Sequence, residues 1–166
     1  MSLTVAAVGA VTAGLLNLTI APYLAVGGAQ PDFVLVCAVV WTVVVGIEGG
    51  LIWAFIGGLM IDFLAPRPLG ATAFTLLICV GGASLMGRAL ERFRLLTPVA
   101  AVAVFAVVNA MLFLVVYGAL RGPIPVPDPL STVLPGAVYD GVLAALIAPA
   151  AIAVIARRQD RDRLDW

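Results

Sequence analysis

Charged side chains are absent over residues 1–31, 33–47, 49–61, 68–87 and 95–120, and between 129 and 156 the sole charge is Asp140. A helix crosses a hydrocarbon core of roughly 30 Å with about 20 apolar residues, and several of these runs approach or exceed that length. Hydrophobic residues make up 63% of the chain and charged ones 11%, before the glycines are added. Soluble domains reach only about 45–50% with glycine included. This surface chemistry excludes a soluble enzyme, a disordered tail, a secreted disulfide scaffold and a nucleic-acid binder. The chain is expected to form one integral membrane domain over residues 1–166, all-α and polytopic, with the lipid bilayer as its solvent.

Clear spans are Leu3–Leu24, Gly70–Met86, Leu96–Leu120 and Thr132–Ala156. The first lacks the basic flank of a signal peptide and reads as a membrane helix. Between Asp32 and Asp62 a single helix would run about 43 Å, too long without a strong tilt. The run Glu48-Gly49-Gly50 near its middle suits a turn and ill suits a lipid-facing helix. Two short spans are therefore expected there, giving six helices, with five as the alternative.

Every basic residue is an arginine, and placement sets the orientation. Arg88, Arg92 and Arg94 fall in loop 88–94, and Arg157, Arg158, Arg161 and Arg163 in the C-terminal tail. Only Arg67 and Arg121 fall opposite them. The positive-inside rule puts the first group in the cytoplasm and the Pro-rich loop 121–131 outside, in either the five- or the six-helix arrangement.

The polar inventory holds no histidine, the commonest acid–base residue and a favoured metal ligand. Cys37 and Cys79 sit inside apolar runs and read as packing residues. No nucleophile elbow, phosphate loop or metal-ligand spacing is present, so neither a catalytic site nor a cofactor is expected. Small residues recur at helical spacing at Ala6, Ala10 and Gly14, again at Gly9 and Ala13, and at Gly50, Ala54 and Gly58. Such faces let helix backbones approach closely, either within the chain or against a partner helix. Asp32, following Pro31, reads as a helix cap. Asp62 and Arg67 fall near one short outer loop where they could pair. Asp140 lies about two turns into the last span, where it would bond a neighbouring helix, reach toward the surface, or bind a proton or cation.

The stretch Pro31–Gly70 carries Pro31-Asp32-Phe33, then Glu48-Gly49-Gly50, Gly57-Gly58-Leu59-Met60-Ile61-Asp62 and Pro68-Leu69-Gly70. It resembles the rod shape-determining protein MreD family, which carries a Pro-Asp start, a Gly-rich helix ending in Gly-Leu-x-x-Asp, and a Pro-x-Gly loop. The resemblance implies a scaffold of the bacterial cell-elongation complex in the cytoplasmic membrane. The partners it implies are an MreC-like bitopic protein, a RodA-type glycosyltransferase with its penicillin-binding partner and, indirectly, the MreB filament. It also implies a fold similar to substrate-binding subunits of energy-coupling factor transporters. Pro31, Asp32, Gly57, Gly58, Asp62, Pro68 and Gly70 then become structural or interface positions, together with Gly50 and Ala54. The alternative is such a transporter subunit itself, which would need an outer pocket drawn from Trp41, Trp53, Tyr117, Tyr139 and Asp140. An ion or proton channel built around Asp140 is a third option.

Overall fold

The segment Phe33–Val44 is apolar on every side and rich in β-branched residues, a poor composition for a solvated helix. It becomes a helix because the rest of the chain surrounds it. In the computed structural model, which describes residues 3–25, 29–90, 96–121 and 129–164, this segment is the central helix of an all-α bundle. In chain order the helices are α1 (Leu3–Thr19), α2 (Phe33–Val44), α3 (Ile47–Leu64), α4 (Ala71–Ala89), α5 (Thr97–Arg121) and α6 (Pro129–Leu164), with a 3₁₀ turn at Ala21–Leu24 after α1. Helix α2 packs against all five others, and these follow one another around it in the order α1, α3, α4, α5, α6. Val34, Leu35, Val36, Ala38, Val39 and Val40 are accordingly buried.

Six helices are present among the described residues, and α2 and α3 are separate. Four of them, α3 to α6, are long and apolar enough to cross a membrane. Helix α1 has 17 residues and α2 has 12, so α2 rises only about 18 Å. It cannot reach across the core alone. At least one of its ends must therefore be satisfied by protein and not by water, and at the N-terminus side chains of α1 and α6 bond the backbone.

The α2–α3 turn differs from the expected one. The chain reverses at Val45-Gly46, and Glu48 and Gly49 already belong to the first turn of α3. Gly46 has φ 141° and ψ 162°, a combination essentially restricted to glycine. That makes Gly46 the breaking residue, while Glu48 gains the favourable end of the helix dipole.

Small residues set the close contacts. Ala6, Ala10, Ala13 and Gly14 are buried on α1, and the α1 backbone lies against α3. A Cβ added at Gly57 would stand 2.6 Å from Val34 Cγ1 on α2 and 3.6 Å from the Ala10 carbonyl oxygen. On the other flank of α3, a Cβ at Gly58 would stand 2.5 Å from Ala73 Cα. Gly50 and Ala54 are buried along the same helix. The two small-residue faces are thus occupied inside the bundle.

Of the sequence-level features, Arg92, Arg94, loop residues 122–128 and the side chains of the arginine tail lie outside the described residues. The backbone of α6 continues as a helix to Leu164.

Candidate functional site: capped helix ends

Two helix N-termini meet the interior of the bundle, and each receives carboxylate oxygen. The first four N–H groups of a helix have no partner within it. At α2 three side chains from three helices serve this end. Asn17, near the end of α1, accepts from the Phe33 N–H at 2.8 Å. Asp32 caps its own helix, its Oδ1 accepting from Leu35 N–H at 3.1 Å. Asp140 of α6 reaches across 108 positions of sequence and accepts from the Asp32 N–H at 2.7 Å. Asp140 is buried, and its place in the last span is explained by this bond.

The second end is that of α4. Asp62 lies in the last turn of α3, where its charge opposes its own helix dipole. It is 2% exposed and turned toward the next helix. Its Oδ2 accepts from Thr72 N–H at 3.0 Å and from Ala73 N–H at 3.4 Å, with Oδ1 also 3.2 Å from Thr72 N. The α3–α4 connection is built for this approach. Ala71 N–H bonds the Pro68 carbonyl at 3.2 Å, and Gly70 takes φ 86° and ψ −9°. That is the geometry of a type II turn, which needs glycine or asparagine at its third position.

The expected pairing of Asp62 with Arg67 is not what forms. Arg67 is exposed and lies over the Phe113 ring of α5, 4.9 Å from its centroid. The carboxylate is drawn inward because two unpaired N–H groups in a buried site need an acceptor more than an exposed guanidinium does.

Side chains proposed for an outer ligand pocket are not gathered. Tyr117 stacks with Phe113 at 5.8 Å between centroids. Trp53 is buried against Gly9 and lies 5.7 Å from Trp41. Trp41 sits nine residues along α2 from Asp32, about 13 Å from the Asp140 bond. Cys37 and Cys79 are both free. Among the described residues no three His, Cys, Asp or Glu side chains come together as metal ligands.

Sequence reasoning missed Asn17. The signal was there: it is the one amide side chain inside the first uncharged span, close to its end.

The arrangement joins helices by hydrogen bonds from backbone to carboxylate. It pairs no nucleophile with a base among the described residues. Residues 3–152 match the family model described as rod shape-determining protein MreD. No curated protein matches the chain, and no solved structure does, so the expected likeness to energy-coupling factor subunits has no support from a solved fold.

Proposed function

The chain belongs to the rod shape-determining protein MreD family, and on that premise we propose that it is a non-enzymatic membrane scaffold of the cell-elongation complex. Membership gives it a role in rod-shape determination, an association with the rod-shape machinery and a multi-pass place in the membrane. The proposal goes further. It holds an MreC-like bitopic protein and a RodA-type glycosyltransferase with its penicillin-binding partner in register for side-wall peptidoglycan synthesis, and connects indirectly to the MreB filament. The observation that carries the reading is the family match across residues 3–152. The engagement of half-buried Asp32 and buried Asp62 and Asp140 on backbone N–H groups supports it.

The same reading places the C-terminus and loop 88–94 in the cytoplasm and loop 121–131 outside, from the arginine distribution. Six helices then put the N-terminus in the cytoplasm as well. A reporter fused at Met1 is expected to read cytoplasmic, and an outside reading would refute this orientation.

For the scaffold itself the test is co-purification. The chain and an MreC-like protein, co-expressed and extracted in mild detergent, are expected to elute together. Depletion of the chain is expected to turn rods into spheres while peptidoglycan precursors continue to be made. Rod-shaped growth without the chain would end the proposal. A small molecule retained at near one-to-one stoichiometry would replace it with the transporter subunit.

A further inference from the structure

At the end of the bundle opposite the Asp32 cap, the start of α1 and the α2–α3 turn enclose a cavity of about 340 Å³. Leu3, Ala6 and Val45 give it apolar walls, and Leu3 and Val45 are themselves exposed, so it opens sideways to the surroundings of the bundle. Two polar side chains line it. Glu48 is exposed and makes no hydrogen bond or ion pair with another described residue. Trp41 lies across Gly49, where an added Cβ would collide with the indole nitrogen. Its indole N–H donates to no described residue. Helix α3, which starts at this turn, is long and apolar enough to cross a membrane, which puts the turn near headgroup level, the depth favoured by tryptophan.

We propose that this cavity binds the headgroup of an aminophospholipid. Its volume equals roughly eleven water-sized groups, enough for a phosphoethanolamine headgroup with the acyl chains leaving past Leu3 and Val45. The three chemical features match the walls. The primary ammonium donates to the Glu48 carboxylate, and the phosphate accepts from the Trp41 indole N–H. The glycerol and first methylenes lie on Leu3, Ala6 and Val45. Charge selects this headgroup over others. An unpaired carboxylate repels the net negative charge of phosphatidylglycerol, and a quaternary choline has no N–H to donate.

The test is lipid retention by the full chain, purified in detergent and measured by native mass spectrometry. The probes are dioleoyl phosphatidylethanolamine, phosphatidylcholine and phosphatidylglycerol, added at equal concentration. Phosphatidylethanolamine is expected to be retained about fivefold better than phosphatidylglycerol, the worth of one interfacial charge pair. Glu48→Gln should abolish that preference and Glu48→Lys should reverse it. Both changes fall on an exposed side chain, and equal melting of the variants checks that the fold is kept. Equal retention of the three lipids by the unmodified chain, or a preference that survives Glu48→Gln, overturns the proposal. So does retention of no lipid at all.

Discussion

Replacing Asp62 by alanine deletes the acceptor for two buried N–H groups and leaves the α4 end with nothing in its place. The donors are Thr72, at 3.0 Å from Oδ2, and Ala73, at 3.4 Å. An unsatisfied buried donor costs about 1–3 kcal/mol, and the loss of a helix cap typically about 1 kcal/mol. The longer Ala73 bond counts for little, and losing the cap is the same event as orphaning the Thr72 N–H, so a total of roughly 1–3 kcal/mol is expected. Asp62→Asn keeps one carbonyl oxygen for Thr72 and gives up the charge, which should cost about 1–1.5 kcal/mol. Phe63→Ala is the control. Phe63 is one residue further along and 79% exposed, so its truncation should change stability by at most about 0.5 kcal/mol. Unfolding in mixed micelles by added sodium dodecyl sulfate gives the free energies, and amide hydrogen exchange at Thr72 and Ala73 reports the end of α4 directly. The reasoning fails if Asp62→Ala unfolds with the unmodified chain. It fails equally if Asp62→Asn is as damaging as Asp62→Ala while exchange at Thr72 stays slow.

Gly58→Leu should be the most damaging packing change, because even its Cβ would stand 2.5 Å from Ala73 Cα, a backbone atom that cannot swing aside. Overpacking of this kind costs about 1–3 kcal/mol or more, visible as lost yield of folded protein or an earlier midpoint; an unaltered variant would mean the α3–α4 contact is not made. Asp140→Ala should cost about 1–3 kcal/mol and speed exchange of the Asp32 amide, while Asp140→Asn should retain most of the bond. Gly46→Ala places a side chain at φ 141° and should lose about 1–3 kcal/mol through backbone strain alone. Nothing stands within 4 Å of that position, so a clash cannot account for the loss, and steady stability would show that the turn takes another conformation.

The membrane class, the six helices and the two small-residue faces were legible because each follows from a one-dimensional pattern. Uncharged runs mark spans, and glycine or alanine every fourth residue marks a close face. The α2–α3 reversal was placed three to four residues late, since Glu48-Gly49-Gly50 looks like a turn by composition while the decisive feature is the φ of Gly46. The fate of Asp62 was not legible, and for Asp140 the bond to a neighbouring helix was legible but not its partner, the Asp32 N–H. Each carboxylate bonds N–H groups whose lack of a partner is a property of the folded helix end, not of any nearby residue. The same holds for Asn17, which matters only once Phe33 begins a helix beside it.

The five outer helices follow one another around α2, and the first and last of them, α1 and α6, do not pack extensively against each other. A ring left open at one seam must be closed by something other than shared apolar area. Here both flanking helices bond the same short stretch of α2, α1 through Asn17 to Phe33 and α6 through Asp140 to Asp32. In a bilayer, where apolar contact gives helices no advantage over lipid, such bonds specify which helix sits where. A central helix too short to cross the membrane has its end inside the protein, and that end is what lets two helices from opposite extremes of the sequence find a common partner. The cost of keeping Asp140 in a membrane span is thus offset by a structural return: the carboxylate joins the last helix to the first through the middle one.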